Sequence, residues 1–218
     1  MDDGPSTSNY LVLIADIVGS TKLIETERSL SQDRLVQMLE KMQEKYATAV
    51  RSDFAVTAGD EFQVMIATAS AIPEMVWDIA AGLEPLKLRM GIGFGPVFTR
   101  PSEDPRLMDG PVFHFAREAL NRTEVGETVF SGFGGLEDAV LNGLSSLMSE
   151  YRRRLSPARR EVLTAMRTSE SQKDVAEALD MPKQTVSYNV RESGWASYLK
   201  AEEGLKSALE LFVRGANQ

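Results

Sequence analysis

The chain has 218 residues, of which 43% are hydrophobic and 26% are charged, and it contains no cysteine. This composition is typical of a globular protein, and it excludes a disulfide framework, a zinc ribbon and a thiol nucleophile. The polar start lacks the basic and apolar regions of a secretory signal, and no apolar run approaches the roughly 20 residues of a membrane helix. We therefore expect a cytoplasmic protein with no membrane partner.

The first part of the chain predicts a mixed α/β arrangement behind a flexible tail at residues 1–9. A continuous apolar run ending in Asp16 is typical of a buried central strand. Strands are predicted over 10–16, 54–57, 62–66, 86–94, 97–100 and 127–131, and helices over 31–50 (with Ser31 as its cap), 73–83 and 112–122. The order β-α-β-β-α-β with additions indicates the ferredoxin-like or palm arrangement.

The second part of the chain, residues 136–218, is predicted to be all-helical. Helices are predicted over 136–155, 157–167, 172–179, 183–193 and 195–214. Glycines at 132–135 indicate a hinge, so the predicted fold class is α+β, with a palm domain at 10–135 followed by an all-α domain. The first 149 residues carry 12 basic and 22 acidic side chains, whereas the remainder carries 12 basic and 10 acidic ones.

Two of the predicted helices, joined by Asp180, Met181 and Pro182, form the pattern of a helix-turn-helix. The outer face of the second helix is polar and consists of Lys183, Gln184, Thr185, Ser187, Tyr188, Asn189 and Arg191. Such side chains read bases and phosphates, so this face is predicted to bind DNA. A unit that makes only protein contacts is the alternative. Five arginines at 152–154, 159 and 160 could meet phosphates or form a solvated helix face.

Two acidic residues are the candidates for a metal site. Asp16 ends the first strand and Asp60 lies at the tip of the hairpin, and the predicted topology brings both to one sheet edge. Close carboxylates repel each other unless a cation lies between them, and hard oxygen ligands suit Mg²⁺ (or Mn²⁺). The structural alternatives are turn chemistry for Asp60 and helix capping by Asp16.

Residues 15–21 and 58–62 resemble the two metal-binding segments of class III nucleotidyl cyclases, and the second also resembles the signature hairpin of diguanylate cyclases. By this resemblance Asp16, the carbonyl of Ile17 and Asp60 would be metal ligands. The candidate nucleotide-binding residues are Gly19, Ser20, Thr21, Gly59, Glu61 and Asn121. One departure is Val56, which stands where adenylyl cyclases place the lysine that reads adenine.

Residues 110–117 are similar to the cyclase helix that carries a transition-state asparagine and arginine. On the predicted helix, His114, Arg117 and Asn121 share one face. His114 and Arg117 are therefore the catalytic candidates, although His114 replaces the asparagine and Glu118 stands at the arginine position. A hydrogen-bonded structural role is the alternative for His114. The alternating glycines at 91, 93 and 95 indicate close packing of a helix.

The segment order, the pattern Gly-Pro-x-x-His-x-Ala-Arg-Glu-Ala-Leu at 110–120 and the helical tail together resemble the SatD-like family. The first hypothesis for function is a DNA-binding transcriptional regulator whose palm domain senses a nucleotide with a metal ion. The second is an active nucleotidyl cyclase or a related metal-dependent phosphoryl-transfer enzyme, and the third is a non-catalytic interaction protein. Cyclase palms pair head-to-tail, so the resemblance also implies a homodimer.

Overall fold

A five-stranded sheet organises the first part of the chain in the computed structural model, which describes residues 8–19 and 25–217. Its strands are β1 (Asn9–Ile17), β2 (Ala55–Ala58), β3 (Glu61–Ile66), β4 (Leu88–Pro96) and β5 (Thr128–Ser131). The strand order is β2-β3-β1-β4-β5, and only β5 runs parallel to its neighbour. The first four strands follow the predicted ferredoxin-like order, and β5 extends it.

Three helices cover the two faces of the sheet: α1 (Glu25–Tyr46), α2 (Ile72–Gly82) and α3 (Pro111–Arg122). Successive side chains of a strand point to opposite faces, so Leu11 and Leu13 pack with α1 and α2. Val12 and Ile14 pack on the other face with apolar residues of α3. The mixed α/β class predicted from the sequence is confirmed.

Two predicted elements differ from the structure. Helix α1 begins at Glu25, so Ser31 lies inside the helix and is not its cap. The strand predicted over 97–100 is absent because Pro96 ends β4. The backbone amides of Phe98 and Thr99 instead donate to the carbonyl of Asp109, which closes a loop.

Two glycines of β4 allow α3 to approach the sheet. A Cβ atom at Gly93 would lie 2.2 Å from the carbonyl oxygen of Val112, and one at Gly91 would lie 2.3 Å from the amide nitrogen of Leu120. Both clashes are with helix backbone, which cannot rotate away as a side chain can. The predicted role of these glycines in helix packing is therefore confirmed, and α3 is fixed at a short distance from β4.

Five further helices complete the described chain: α4 (Gly135–Arg154), α5 (Pro157–Met166), α6 (Gln172–Ala178), α7 (Lys183–Glu192) and α8 (Trp195–Ala216). Leu141 of α4 and Leu209 of α8 belong to the same hydrophobic cluster as the sheet. The domain boundary at residues 135 and 136 thus stays a prediction, and the core continues across it. No helix among the described residues is both long and apolar enough to cross a membrane.

Helices α6 and α7 are joined by residues 179–182 and pack on α5 around a small core of their own. Val162, Val175 and Val186 are fully buried in this core. The hydroxyl of Ser171 accepts a hydrogen bond from the amide of Asp174 and caps α6. Pro182 immediately precedes α7, where its missing N–H is not needed. The local sequence therefore specifies both the start of α6 and the start of α7.

Candidate functional site

An ion pair links the end of β1 to β4. The register of the two strands places Asp16 opposite Arg89. The Nε of Arg89 donates to Oδ1 of Asp16 at 3.0 Å, and the Nη2 of Arg89 donates to Oδ2. Both side chains are half-buried. This forked geometry is the one that guanidinium groups adopt with carboxylates and phosphates.

The hairpin between β2 and β3 carries Asp60, whose charge acts on the same ion pair. Gly59 at its tip has a φ of 61°, which glycine adopts without strain. Hydrogen bonds to Asp16 raise the pKa of Arg89, although burial alone would lower it. The charges of Asp16 and Asp60 raise this pKa further. Asp60 therefore lies within electrostatic reach of the guanidinium that holds Asp16.

A second ion pair joins the hairpin to α3. Arg117 donates from Nη2 to Oε1 of Glu61 at 2.7 Å and from Nη1 to Oε2, and the hydroxyl of Thr57 donates to Oε1 at 2.7 Å. Burial alone would raise the pKa of Glu61. The hydrogen bonds from Arg117 and Thr57 and the charge of Arg117 overcome that effect and hold the pKa below its usual range. Glu61 is therefore ionised at neutral pH.

The two ion pairs form one unit, which we call the charged cluster: Asp16, Asp60, Glu61, Arg89 and Arg117. The charge of Asp16 contributes to the raised pKa of Arg117, after the larger effect of Glu61. The cluster therefore combines three acids and two arginines from four separate elements of the chain. Its chemistry suits a ligand that carries both cationic and anionic groups, such as a metal-bound phosphate.

The donor atoms in the cluster fit a hard divalent cation. Within the described ranges, no group of three or more histidine, cysteine or acidic side chains could hold a metal by itself. Mg²⁺ is usually bound by one or two carboxylates and completes its coordination with waters and substrate phosphates. Asp16 and Asp60 supply two carboxylates, so the residues fit a cation that arrives with a phosphate ligand.

Several predicted site residues lie apart from the cluster. The His114 side chain is 80% exposed and lies 4.0 Å from Asp109. Asn121 is exposed one turn beyond Arg117 on α3. Arg117 is the α3 member of the charged cluster, and among the described residues neither His114 nor Asn121 forms a hydrogen bond or an ion pair with the cluster. Gly19 follows β1, whereas the predicted nucleotide contacts Ser20 and Thr21 lie outside the described residues.

Sequence reasoning assigned no role to Arg89 or Thr57. The sequence feature that could have identified Arg89 is its position in β4, where it stands between the buried residues Leu88 and Met90. A charge flanked in this way must find a partner on the other face of the sheet. Thr57 carries no comparable signal, because its contact with Glu61 depends on the shape of the hairpin.

The family of the chain follows from its sequence. The sequence profile of the SatD family matches residues 10–128, which is more than half of the chain. The chain belongs to the SatD family. The resemblance predicted from the segment order is therefore confirmed, and the matched residues contain all five members of the charged cluster. No curated protein matches this SatD family member.

Three solved structures similar to this SatD family member are cyclases. One is the catalytic core of a rhodopsin-guanylyl cyclase with converted specificity, in complex with ATPalphaS. It is 15% identical to this chain with a TM-score of 0.47, and the match covers 60% of this chain and 80% of that chain. The guanylate cyclase domain of RhGC from Catenaria anguillulae, in complex with GTP, is 16% identical (TM-score 0.45, coverage 57% and 78%). The adenylyl cyclase CyaB from P. aeruginosa is 22% identical (TM-score 0.42, coverage 56% and 76%).

Proposed function

We propose that the charged cluster binds a nucleoside triphosphate together with a divalent cation, and that the chain is a nucleotidyl cyclase-like or related phosphoryl-transfer enzyme. One observation carries this proposal: acids and arginines from four elements of the chain meet at one sheet edge. The acids suit a metal, and the arginines suit phosphates.

The proposed metal ligands are the carboxylates of Asp16 and Asp60 and the carbonyl of Ile17, holding Mg²⁺ (or Mn²⁺). When bound there, the cation would neutralise phosphate charge and help to align the phosphates for an in-line displacement. Gly59 holds the hairpin turn that presents Asp60. Glu61, which is ionised and tied to Arg117 and Thr57, fixes the start of β3 beside that turn.

The proposed role of Arg89 and Arg117 is to bind and orient the phosphates. Each guanidinium already forms a forked pair with a carboxylate, and phosphate oxygens can occupy the same geometry. Each oxygen of Asp16 accepts one hydrogen bond from Arg89 and keeps a second lone pair, so the carboxylate can pair with Arg89 and also bind a cation. Arg89 can therefore bind a phosphate either beside Asp16 or in exchange for it, and in both cases the guanidinium stays paired.

We include a homodimer in this proposal. His114 is exposed on α3 and, in the part of the chain that the structure describes, forms no hydrogen bond or ion pair with the charged cluster. A histidine in that position is free to contact a nucleotide in a site that is shared with a second copy of the chain. Asn121 is also exposed on this helix, so it could contribute to the same shared site.

The test of the proposed enzyme is incubation of the full chain with each nucleoside triphosphate and Mg²⁺ or Mn²⁺. We expect pyrophosphate release with at least one nucleotide, and we expect Asp16→Ala to lower the rate by at least about a hundredfold, which corresponds to about 2.7 kcal/mol. The matched control is Asp104→Ala, because Asp104 also pairs with an arginine but lies on an exposed loop. Equal rates for the wild type and Asp16→Ala would contradict the proposal, as would an equal loss in Asp104→Ala.

A second candidate function is DNA binding by α7, and the arrangement of α6 and α7 favours it. Val186 anchors α7 in the small core, and Tyr188 and Arg191 on its outer face are exposed. The proposed DNA contacts remain Lys183, Gln184, Thr185, Ser187, Tyr188, Asn189 and Arg191. These side chains could enter a major groove while α6 crosses the backbone. In this reading the charged cluster would act as the sensor of a transcriptional regulator.

The DNA-binding candidate is tested by selecting binding sequences from random duplexes and measuring their affinity. If α7 is the recognition helix, Arg191→Ala and Gln184→Ala should each weaken specific binding by about 1–3 kcal/mol. Lys200→Ala on the exposed face of α8 is the control and should have little effect. Unchanged affinity in both α7 variants would assign the helix pair to a different role.

A further inference from the structure

A cavity of about 670 Å³ lies between the sheet and the helices that follow it, away from the charged cluster. Its apolar wall includes Trp77 of α2 and Leu88 and Met90 of β4. Because Leu88 and Met90 alternate with Arg89 along the strand, the cavity lies on the sheet face opposite Arg89 and its partner Asp16. The cavity is therefore a separate site from the one described above.

The charges around the cavity are mainly positive, although the whole chain has a net charge of −8. Four cationic side chains and one acid line it: Lys87, Arg152, Arg153, Arg160 and Glu84. Arg160 pairs with Glu84, and Arg153 pairs with Glu150 outside the cavity. Two members of the arginine cluster noted in the sequence are thus neutralised by acids.

The remaining two cations form no ion pair with an acid that the structure describes. Arg152 donates to the neutral hydroxyl of Ser149 at 3.1 Å and lies beside the neutral phenol of Tyr198. Among the described residues, no carboxylate lies within ion-pair distance of Arg152 or Lys87. The Arg152 guanidinium is half-buried, so water compensates its charge only in part. A cavity with an apolar wall and an uncompensated guanidinium favours an anionic ligand with an apolar body.

We propose that this cavity binds a small organic anion, with an aromatic or aliphatic body and one carboxylate, sulfonate or phosphate group. The body packs against Trp77, Leu88 and Met90, and the anionic group pairs with Arg152 and, at the rim, with Lys87. The volume lies within the range of about 300–1,000 Å³ that is usual for small-molecule sites. Arg152 is the specificity-determining residue, because a guanidinium pairs with such anions through two hydrogen bonds.

The test is calorimetric titration of the full chain with naphthalene-2-sulfonate and with its neutral analogue, naphthalene-2-sulfonamide. We expect saturable binding of one sulfonate per chain, at least about tenfold tighter than the sulfonamide. Guanosine 5′-monophosphate is added as a competitor to distinguish a nucleotide ligand from other organic anions. Displacement of the sulfonate assigns the cavity to a nucleotide, and no displacement assigns it to a non-nucleotide organic anion.

Two variants make the test specific. Arg152→Gln should weaken sulfonate binding by about tenfold, whereas Arg154→Gln should not, because Arg154 is 79% exposed and pairs with Glu150. Ala81→Phe places a bulky ring in the cavity without changing any charge and should also weaken sulfonate binding, so the test does not depend on the folding of Arg152→Gln alone. The proposal is overturned if no ligand binds saturably at millimolar concentration, or if Arg152→Gln and Arg154→Gln bind the sulfonate equally well.

Discussion

Replacing Arg167 with alanine should lower the free energy of unfolding by about 3 kcal/mol. Arg167 follows α5 and forms a forked pair with Glu202 of α8, at 2.9 and 3.0 Å. The exposed fractions of the two side chains are 6% and 5%. Truncating the arginine would leave the Glu202 carboxylate buried, with Lys206 at 3.2 Å as its remaining cation. The loss of one partner is therefore much more costly than the loss of an exposed pair.

Urea unfolding of matched variants measures this effect. Arg167 also lies over the ring of Trp77 with 5.2 Å between its guanidinium carbon and the ring centroid, so tryptophan fluorescence follows the transition. Arg154→Ala, which removes an exposed ion pair, should change the stability by less than about 1 kcal/mol. The double variant Arg167→Met with Glu202→Leu should recover much of the loss, because no charge stays buried. Similar stabilities for Arg167→Ala and Arg154→Ala would show that the buried pair is not a major link between α5 and α8.

Replacing Gly93 with alanine should also lower the free energy of unfolding by about 3 kcal/mol, which is the upper end of the usual cost of overpacking. The added carbon would lie 2.2 Å from the carbonyl oxygen of Val112 and 2.4 Å from the amide nitrogen of Ala116. Relief requires the whole of α3 to move away from β4. Because α3 carries Arg117, we also expect Gly93→Ala to weaken the contact between Arg117 and Glu61.

The control for this prediction is Gly143→Ala in α4, where an added Cβ atom meets no atom within 4 Å. Alanine in an open helical position should stabilise the protein by about 0.4–1 kcal/mol. Thermal and urea unfolding of the two variants should therefore give shifts of opposite sign. A Gly93→Ala protein as stable as the wild type would mean that α3 is not held against β4 by close backbone contact.

The sequence predicted most helices and strands, and its errors have local physical causes. Helix α1 was expected to start at Ser31 because only the later residues carry a buried stripe, whereas Arg28 and Leu30 in the preceding turn are exposed. Apolar periodicity detects the packed part of a helix and misses a solvated extension. The strand predicted at 97–100 is absent because Pro96 ends β4, and the apolar residue Phe98 beyond it is 68% exposed and does not indicate burial.

The candidate site was predictable where its residues lie in short motifs. Asp16, Asp60 and Glu61 could be identified from strand ends and a hairpin, whereas the contact of Asp16 with Arg89 depends on a register across 73 positions of sequence. Helical spacing placed His114 and Arg117 on one stripe, but only the tertiary packing of α3 determines that Arg117 reaches Glu61. Long-range register and helix orientation are set by the whole core and are not encoded in local spacing.

Manganese binding, measured by equilibrium dialysis as the excess of Mn²⁺ on the protein side, tests the proposed metal and nucleotide site most directly. In the presence of a non-hydrolysable nucleoside triphosphate, we expect the wild-type chain to bind Mn²⁺. Asp16→Asn and Asp60→Asn should each weaken that binding at least about tenfold, and Asp104→Asn should leave it unchanged. Binding that is equally strong in all four proteins, or no binding at millimolar Mn²⁺, would contradict a cation site at this edge of the sheet.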